Sequence, residues 1–308
     1  MKKCVSIIIP VYNEERNIDP LIQTLTQTLA RYEYEILFID DGSTDNTVAS
    51  IAIHTKANKA LKLISFYRNF GHQMALAAGY ENAHGDCVIS MDADLQDPPE
   101  IIPELITKWE SGAKIVYAKR KNRDVDSPFK KLTAYLFYKC INLLSDEPIP
   151  QEVGDFRLLD RDVVDFLNNL SEKPRFLRGL VAWGGFPAEF VYFSRMRRNA
   201  GHTHYTFSKM MNFALEGITS FSTKPLRISI YLGFTSAFVG FIGVLYAILG
   251  RIFFAQYWVT GWAALFVGIM FMGGVQLITI GIIGEYIGKI YSEIQKRPRY
   301  IIRSRINI

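Results

Sequence analysis

Residues Ile89–Gln96 read Ile-Ser-Met-Asp-Ala-Asp-Leu-Gln, and the fold of the chain follows from how that stretch is understood. The apolar run Cys87-Val88-Ile89 is a buried strand by length and composition, and the stretch it leads into ends in two carboxylates one residue apart. Parallel sheets present ligands at such carboxyl ends. Side chains two apart in an extended segment lie on one side, so Asp92 and Asp94 converge on one hard divalent cation, with Gln96 as a third oxygen. Mg2+ keeps few protein ligands and completes its shell with water and phosphate oxygen, so a cation here serves a phosphate-bearing substrate. Taken alone, Asp-x-Asp is also the composition of a solvated turn or a helix cap, and the neighbouring segments decide.

Upstream, Val5–Ile9 is a β-branched run closed by Pro10, and Val11-Tyr12-Asn13-Glu14-Glu15 leads from it to a helix over about 17–32. Glu35–Ile39 is a second strand, ending in Asp40-Asp41 and a Gly42-Ser43-Thr44-Asp45 turn that enters a helix. Leu61–Phe66 is a third, followed by Arg68-Asn69-Phe70-Gly71-His72 and a helix to about Glu81. Strands alternating with helices predict a doubly wound α/β sheet. Its carboxyl edge would gather Tyr12, Glu14, Asp41, Arg68 and Asp92.

Downstream, Pro98-Pro99-Glu100 opens a helix through Trp109, and Lys114–Ala118 is a fifth strand running into the basic loop 119–123. That loop either faces the acidic strand end across a diphosphate or is a solvated charge run. Residues 128–144 mix lysines with aromatics, as an interfacial helix or a buried packing helix would. Gly154-Asp155-Phe156-Arg157-Leu158-Leu159 precedes a helix near 161–170, and 176–183 and 189–193 complete the domain. Arg195, Arg197 and Arg198 beside His202 and His204 form either a lipid-phosphate pocket or an electrostatic membrane anchor.

The 308-residue chain is 49% hydrophobic, and the excess sits in the last quarter. Ile228–Gly250 and Trp258–Gly284 carry no charge and would reach roughly 34 and 40 Å as helices, against a hydrocarbon core of about 30 Å. They predict a two-helix transmembrane hairpin. Lys and Arg flank it on the outer sides while the connector holds only Arg251, which places the N-terminal part and the tail in the cytoplasm. The expected organisation is a catalytic domain over 1–205, an amphipathic juxtamembrane helix over 206–227, the hairpin over 228–284 and a basic tail over 285–308. Val5–Val11 is too short and lacks a cleavage site for a signal peptide. Cys4, Cys87 and Cys140 are too widely spaced for a disulfide framework or a zinc site. The net charge of +5 clusters near the apolar segments, which favours anionic lipid over nucleic acid as partner. Two spans offer little embedded surface, so self-association into a homo-oligomer is expected.

Several motifs resemble those of the family-2 inverting glycosyltransferases, in the polyprenyl-phosphate branch that includes dolichol-phosphate mannosyltransferases. They are Ile-Pro-Val-Tyr-Asn-Glu at 9–14, Ile-Asp-Asp-Gly-Ser-Thr-Asp at 39–45, Arg-Asn-Phe-Gly at 68–71 and Asp-Ala-Asp-Leu-Gln at 92–96. Gly-Asp-Phe-Arg-Leu at 154–158, Ser-Phe-Ser-Thr-Lys-Pro-Leu-Arg at 220–227, Gly-Glu-Tyr-Ile-Gly at 284–288 and Arg-Pro-Arg-Tyr at 297–300 match as well. The likeness spans essentially the whole chain and is strongest toward the bactoprenol glucosyltransferases of O-antigen modification.

The resemblance implies a GT-A fold, a Mg2+ or Mn2+ cofactor, and transfer from a UDP-sugar to a polyprenyl phosphate at the inner membrane. Glucose is the first choice of sugar, with GDP-mannose and UDP-aminoarabinose donors as alternatives. By motif, Pro10, Tyr12, Glu14, Ile39 and Asp41 would hold the uridine, Asp92 and Ala93 nucleotide and metal, and Asp94 with Gln96 the rest of the metal shell. Arg68 would join the nucleotide-sugar site, Arg120 and Arg198 would neutralise phosphates, and Arg195 would help position the acceptor. Asp155 matches an aspartate often given a catalytic role, as a base or as a group that orients the sugar or an arginine. Where relatives carry Gly-x-Ser/Thr-Lys followed by Tyr or Phe, this chain has Gly201-His202-Thr203-His204-Tyr205, so a titratable His204 replaces a permanent cation. Processive polysaccharide synthases, which share the loops, carry a Gln-x-x-Arg-Trp that does not follow Asp155 here. A non-enzymatic membrane anchor with a nucleotide-sensing domain is the remaining alternative, and the convergent carboxylates and arginines speak against it.

Overall fold

The computed structural model describes residues 3–120, 153–170, 177–193, 222–253 and 261–308. The β-branched run at the start of the chain is the sheet's centre. Strand β1 (Cys4–Val11) pairs in parallel with β2 (Glu33–Asp40) on one side and with β4 (Cys87–Ser90) on the other, and β3 (Leu61–Phe66) lies parallel beyond β2. Helices α1 (Glu15–Thr28), α2 (Thr47–Ala57) and α3 (His72–Asn82) make the crossovers. Ile7, Ile8 and Ile9 are all fully buried, as a parallel sheet covered on both faces requires. Helix α3 lies so close to β1 that a methyl at Gly79 would come within 2.2 Å of Ile8 Cγ2.

After a 3-10 turn at Pro99–Ile101 come α4 (Ile102–Glu110), β5 (Ile115–Arg120), β6 (Val153–Asp160), α5 (Arg161–Asn169), α6 (Leu177–Trp183) and β7 (Ala188–Phe193). Strand β6 runs antiparallel to both β4 and β5, and β7 runs parallel to β5. The Asp160 side chain accepts from the Asp162 amide and caps α5.

The stretch expected as a basic tail over 285–308 is structured. Helix α8 (Trp262–Ile294) occupies its first part, and β8 (Ile302–Ile306) then pairs antiparallel with the free edge of β3. Ile302 and Ile306 alternate with exposed Arg303 and Arg305, the period of a half-buried edge strand, which a count of positive charge overlooks. The eight-stranded sheet is ordered β7-β5-β6-β4-β1-β2-β3-β8. The sheet unit is therefore discontinuous in sequence, with 297–308 belonging to it and described residues 222–253 and 261–296 forming a second unit.

In that second unit α7 (Lys224–Phe253) and α8 pack on each other, and the Tyr286 hydroxyl donates to the Ser222 carbonyl at 2.6 Å. Helix α7 starts at Lys224, inside the expected juxtamembrane segment, and residues 206–221 lie outside the described residues. Both helices are long and apolar enough to cross a membrane. Phe234 and Leu277 are each over 70% exposed, a surface suited to lipid rather than water.

Candidate active site

The carboxyl ends of β1, β2 and β3 are bound into one interlocked edge. The Asp41 amide donates to the Val11 carbonyl at 2.9 Å, and buried Asp41 accepts from the Phe70 amide at 2.6 Å on Oδ1 and the Gly71 amide at 2.9 Å on Oδ2. Burial pushes the Asp41 carboxyl above its ordinary value despite these two donors. Gly42, at φ +77°, abuts the next loop so tightly that a Cβ would sit 2.5 Å from the Arg68 carbonyl carbon. Asn13, itself left-handed at φ 57°, accepts from the Thr44 amide at 2.8 Å, and the Glu14 amide donates to Thr47 Oγ1 at 2.9 Å. Pro10 and Ile39 are register partners in the buried strands, whereas Tyr12 and Arg68 are exposed above them.

Beyond Ser90 the chain does not continue as an extended segment, as the alternation of Asp92, Asp94 and Gln96 predicts, but closes a tight loop. The Asp92 amide donates to Asp97 Oδ2 at 3.3 Å, the Gln96 amide to Asp94 Oδ1 at 3.1 Å, and Leu95 between them sits at φ 58°. A leucine in the left-handed region is costly, and such strain concentrates at functional loops. Ala93 is buried, Asp92 and Asp94 are half-buried, and the Gln96 Oε1 atom is buried without a hydrogen-bond partner. Loss of water around Asp92 pushes its carboxyl up, His72 pulls it back, and the charges of Asp155 and Asp94 push it further up. Burial and the Asp92 charge raise Asp97 to about 7.

These residues fit a hard divalent cation: two carboxylates and one unsatisfied amide oxygen on a loop with excess negative charge. Among the described residues no three His, Cys, Asp or Glu side chains converge as a ready-made cage.

Antiparallel β6 brings Asp155 next to the acidic loop. Its carbonyl accepts from Ser90 Oγ at 2.5 Å, and Ser90 Oγ in turn accepts from the Tyr80 hydroxyl at 3.0 Å. Its carboxylate is surrounded by donors. Arg178 from α6 approaches with Nε at 3.0 Å and Nη2 at 2.8 Å, and Gln73 Nε2 donates at 3.3 Å. His72 Nε2 lies 3.4 Å from Asp155 and 3.6 Å from Asp92, bridging the two carboxylates, and fully buried Arg157 sits 3.8 Å away. Burial alone would raise the Asp155 carboxyl, but the His72 contact and the Arg178 guanidinium hold it well below the usual carboxylate range. Burial likewise depresses His72, and Asp155 and Asp92 lift it above its ordinary value.

Tyr12, Glu14, Asp41, Arg68, Asp92, Asp94 and Gln96 thus occupy one sheet edge, and the charge of Arg120, at the end of β5, acts on Asp97. Arg195, Arg198 and His204 lie outside the described residues, as does the 128–144 stretch. Sequence reasoning missed His72, Gln73 and Arg178 as partners of Asp155. His72 and Gln73 had a signal, since they follow directly on a strand-end loop; Arg178, within a mostly apolar helix, had none.

The sequence profile described as glycosyl transferase family 2 matches residues 6–167, more than half of the chain. The chain is a family-2 glycosyltransferase. It is 46% identical over 301 residues to the prophage bactoprenol glucosyl transferase homolog of Escherichia coli (strain K12), covering 97% of this chain and 98% of that one. It is 45% identical over 303 residues to the bactoprenol glucosyl transferase of Shigella phage SfX, covering 98% and 99%. The glycosyltransferase also superimposes on the mannosyltransferase PcManGT from Pyrobaculum calidifontis, solved in complex with GDP-Man and Mn2+, with a TM-score of 0.50 and 15% identity over 96% of this chain and 89% of that one. Its fold is GT-A, a mostly parallel sheet followed by two apolar helices.

Proposed function

We propose that this glycosyltransferase moves a hexose, glucose first, from UDP to undecaprenyl phosphate at the cytoplasmic membrane face, with inversion, and so supplies a lipid-linked sugar for O-antigen or other surface glycan modification. The observation that carries the reading is the identity of 45% over 303 residues with an enzyme named bactoprenol glucosyl transferase, in a chain whose Asp-Ala-Asp-Leu-Gln loop follows the carboxyl end of β4.

The acceptor oxygen belongs to a phosphate already anionic near neutral pH, so it attacks the anomeric carbon without a protein base. As its bond to carbon forms, the bond from carbon to the β-phosphate oxygen of UDP breaks, and UDP leaves with the electron pair. Asp92, Asp94 and Gln96 would hold Mg2+ or Mn2+, whose charge stabilises the departing diphosphate, together with Arg120. Pro10, Tyr12, Glu14, Ile39, Asp41, Arg68 and Ala93 make up the donor site. Arg195, Arg198 and His204 serve the lipid phosphate by orientation and charge. Asp155, with both oxygens engaged by cations and held ionised, is a poor proton acceptor. Its role is to fix Arg178 and His72 beside Asp92. The test is to offer radiolabelled UDP- and GDP-sugars to membranes containing the protein and extract the lipid product. Label from UDP-glucose in a polyprenyl-phosphate lipid supports the reading, and its absence with every donor ends it.

A further inference from the structure

Arg299, Tyr300 and Ile301, the last three residues before β8, grip the β3–α3 segment at both of its ends. At the strand end, the Tyr300 ring stacks on Phe66 at 4.8 Å, Phe66 meets Phe70 edge to face at 5.8 Å, and the Tyr67 amide donates to the Ile301 carbonyl at 3.1 Å. At the far end of α3, Glu81 receives Arg299 Nη1 at 3.1 Å and the Tyr300 hydroxyl at 2.5 Å, while Arg299 Nη2 donates to the Leu170 carbonyl at 3.1 Å.

What lies between these grips holds residues of the proposed donor site in place. The 67–71 loop supplies the amides of Phe70 and Gly71 that hold Asp41, and the first turn of α3 supplies His72 and Gln73 to Asp155. On its other side the loop is wedged against Gly42, where a Cβ would lie within 2.8 Å of both Arg68 Cα and the Asn69 amide nitrogen. A loop clamped between two surfaces keeps its amides aimed; with one surface gone, five residues regain backbone freedom.

We propose that Arg299 and Tyr300 are positioning residues for the nucleotide-sugar site. The segment that returns from the second apolar helix sets the geometry of the Asp41 cradle and of α3, although it touches neither substrate. The inference rests on the donor reading given above, and binding by the parent protein separates the two.

The experiment uses the full chain in lipid nanodiscs with Mn2+. Nucleotide-sugar binding is measured first on the parent, then donor and acceptor KM and kcat on Tyr300→Leu and Tyr300→Phe. An aromatic pair worth up to about 1.5 kcal/mol corresponds to about a tenfold rise in donor KM for Tyr300→Leu. Acceptor KM stays unchanged, and Tyr300→Phe, which keeps the stack, recovers most of the loss. A parent-like donor KM in Tyr300→Leu, with only its thermal midpoint or kcat lowered, overturns the proposal. If Tyr300→Leu does not fold, the double variant Arg299→Gln, Tyr300→Phe keeps the ring stack and releases Glu81 and the Leu170 carbonyl, and an unchanged donor KM there overturns it equally. A parent that binds neither UDP- nor GDP-sugars removes the donor reading, and this inference falls with it.

Discussion

Arg178 closes on Asp155 as a fork, Nε to Oδ1 at 3.0 Å and Nη2 to Oδ2 at 2.8 Å. Bidentate pairs of this kind fix direction as well as charge, so Asp155 is the fixed point to which α6, the start of α3 and buried Arg157 are all referred.

Replacing Asp155 by Asn leaves Arg157 buried without its counter-ion. Breaking such a pair costs about 3 kcal/mol or more. Denaturant unfolding followed by tryptophan fluorescence should show Asp155→Asn destabilised by that order, with donor binding weakened less than transfer. Unchanged stability together with a lost basic group in the pH–rate profile would restore Asp155 as a base.

Acid should reveal the same contact. Because the folded carboxyl titrates below its unfolded value of about 3.9, its contribution is complete above that pH and is lost as pH falls through the folded value. The parent should therefore lose stability below about pH 4 more steeply than Asp155→Asn. Parallel acid limbs in the two proteins contradict this.

Arg178→Lys keeps the charge but not the fork. Transfer is expected to drop about tenfold, the equivalent of one weakened charge-assisted hydrogen bond, and not to recover with added metal. Parent-like turnover in the lysine variant would show that charge alone suffices.

Asp94→Asn removes one carboxylate from the acidic loop and is expected to abolish transfer and metal dependence together. Initial rates across a Mn2+ titration decide it: a variant that runs at the parent rate removes Asp94 from the metal shell.

Gly42→Ala introduces a side chain at φ +77° into a space closed by the Arg68 backbone. The change should cost more than about 1 kcal/mol and raise donor KM, because the displaced loop carries the Phe70 and Gly71 amides. Thermal unfolding and donor titration of the variant check both effects.

The sequence discloses the parallel half of the sheet because Val5–Ile9, Glu35–Ile39, Leu61–Phe66 and Cys87–Ile89 are short apolar runs punctuated by carboxylates, a pattern with one reading. It hides β6. There Asp155 and Arg157 interrupt the apolar pattern, and their burial is tolerable because Arg157, Arg178 and His72 gather around one carboxylate, a fact of three dimensions. It hides β8 for a related reason: Arg303 and Arg305 read as tail charge until β3 is seen to need an edge partner. The acidic loop is legible in composition but not in shape, since the turn at Leu95 replaces the extension that simple alternation predicts.

Strand β8 has a consequence for biosynthesis. The Asn307 side chain bonds to the Leu61 carbonyl across 246 residues of chain, and both apolar helices lie between. Ribosomal order then dictates that the outer rim of β3 stays bare until both apolar helices have been made. Only after their synthesis can the enzyme seal its own sheet, so a nascent chain stalled within them is an unfinished catalyst with an adhesive border.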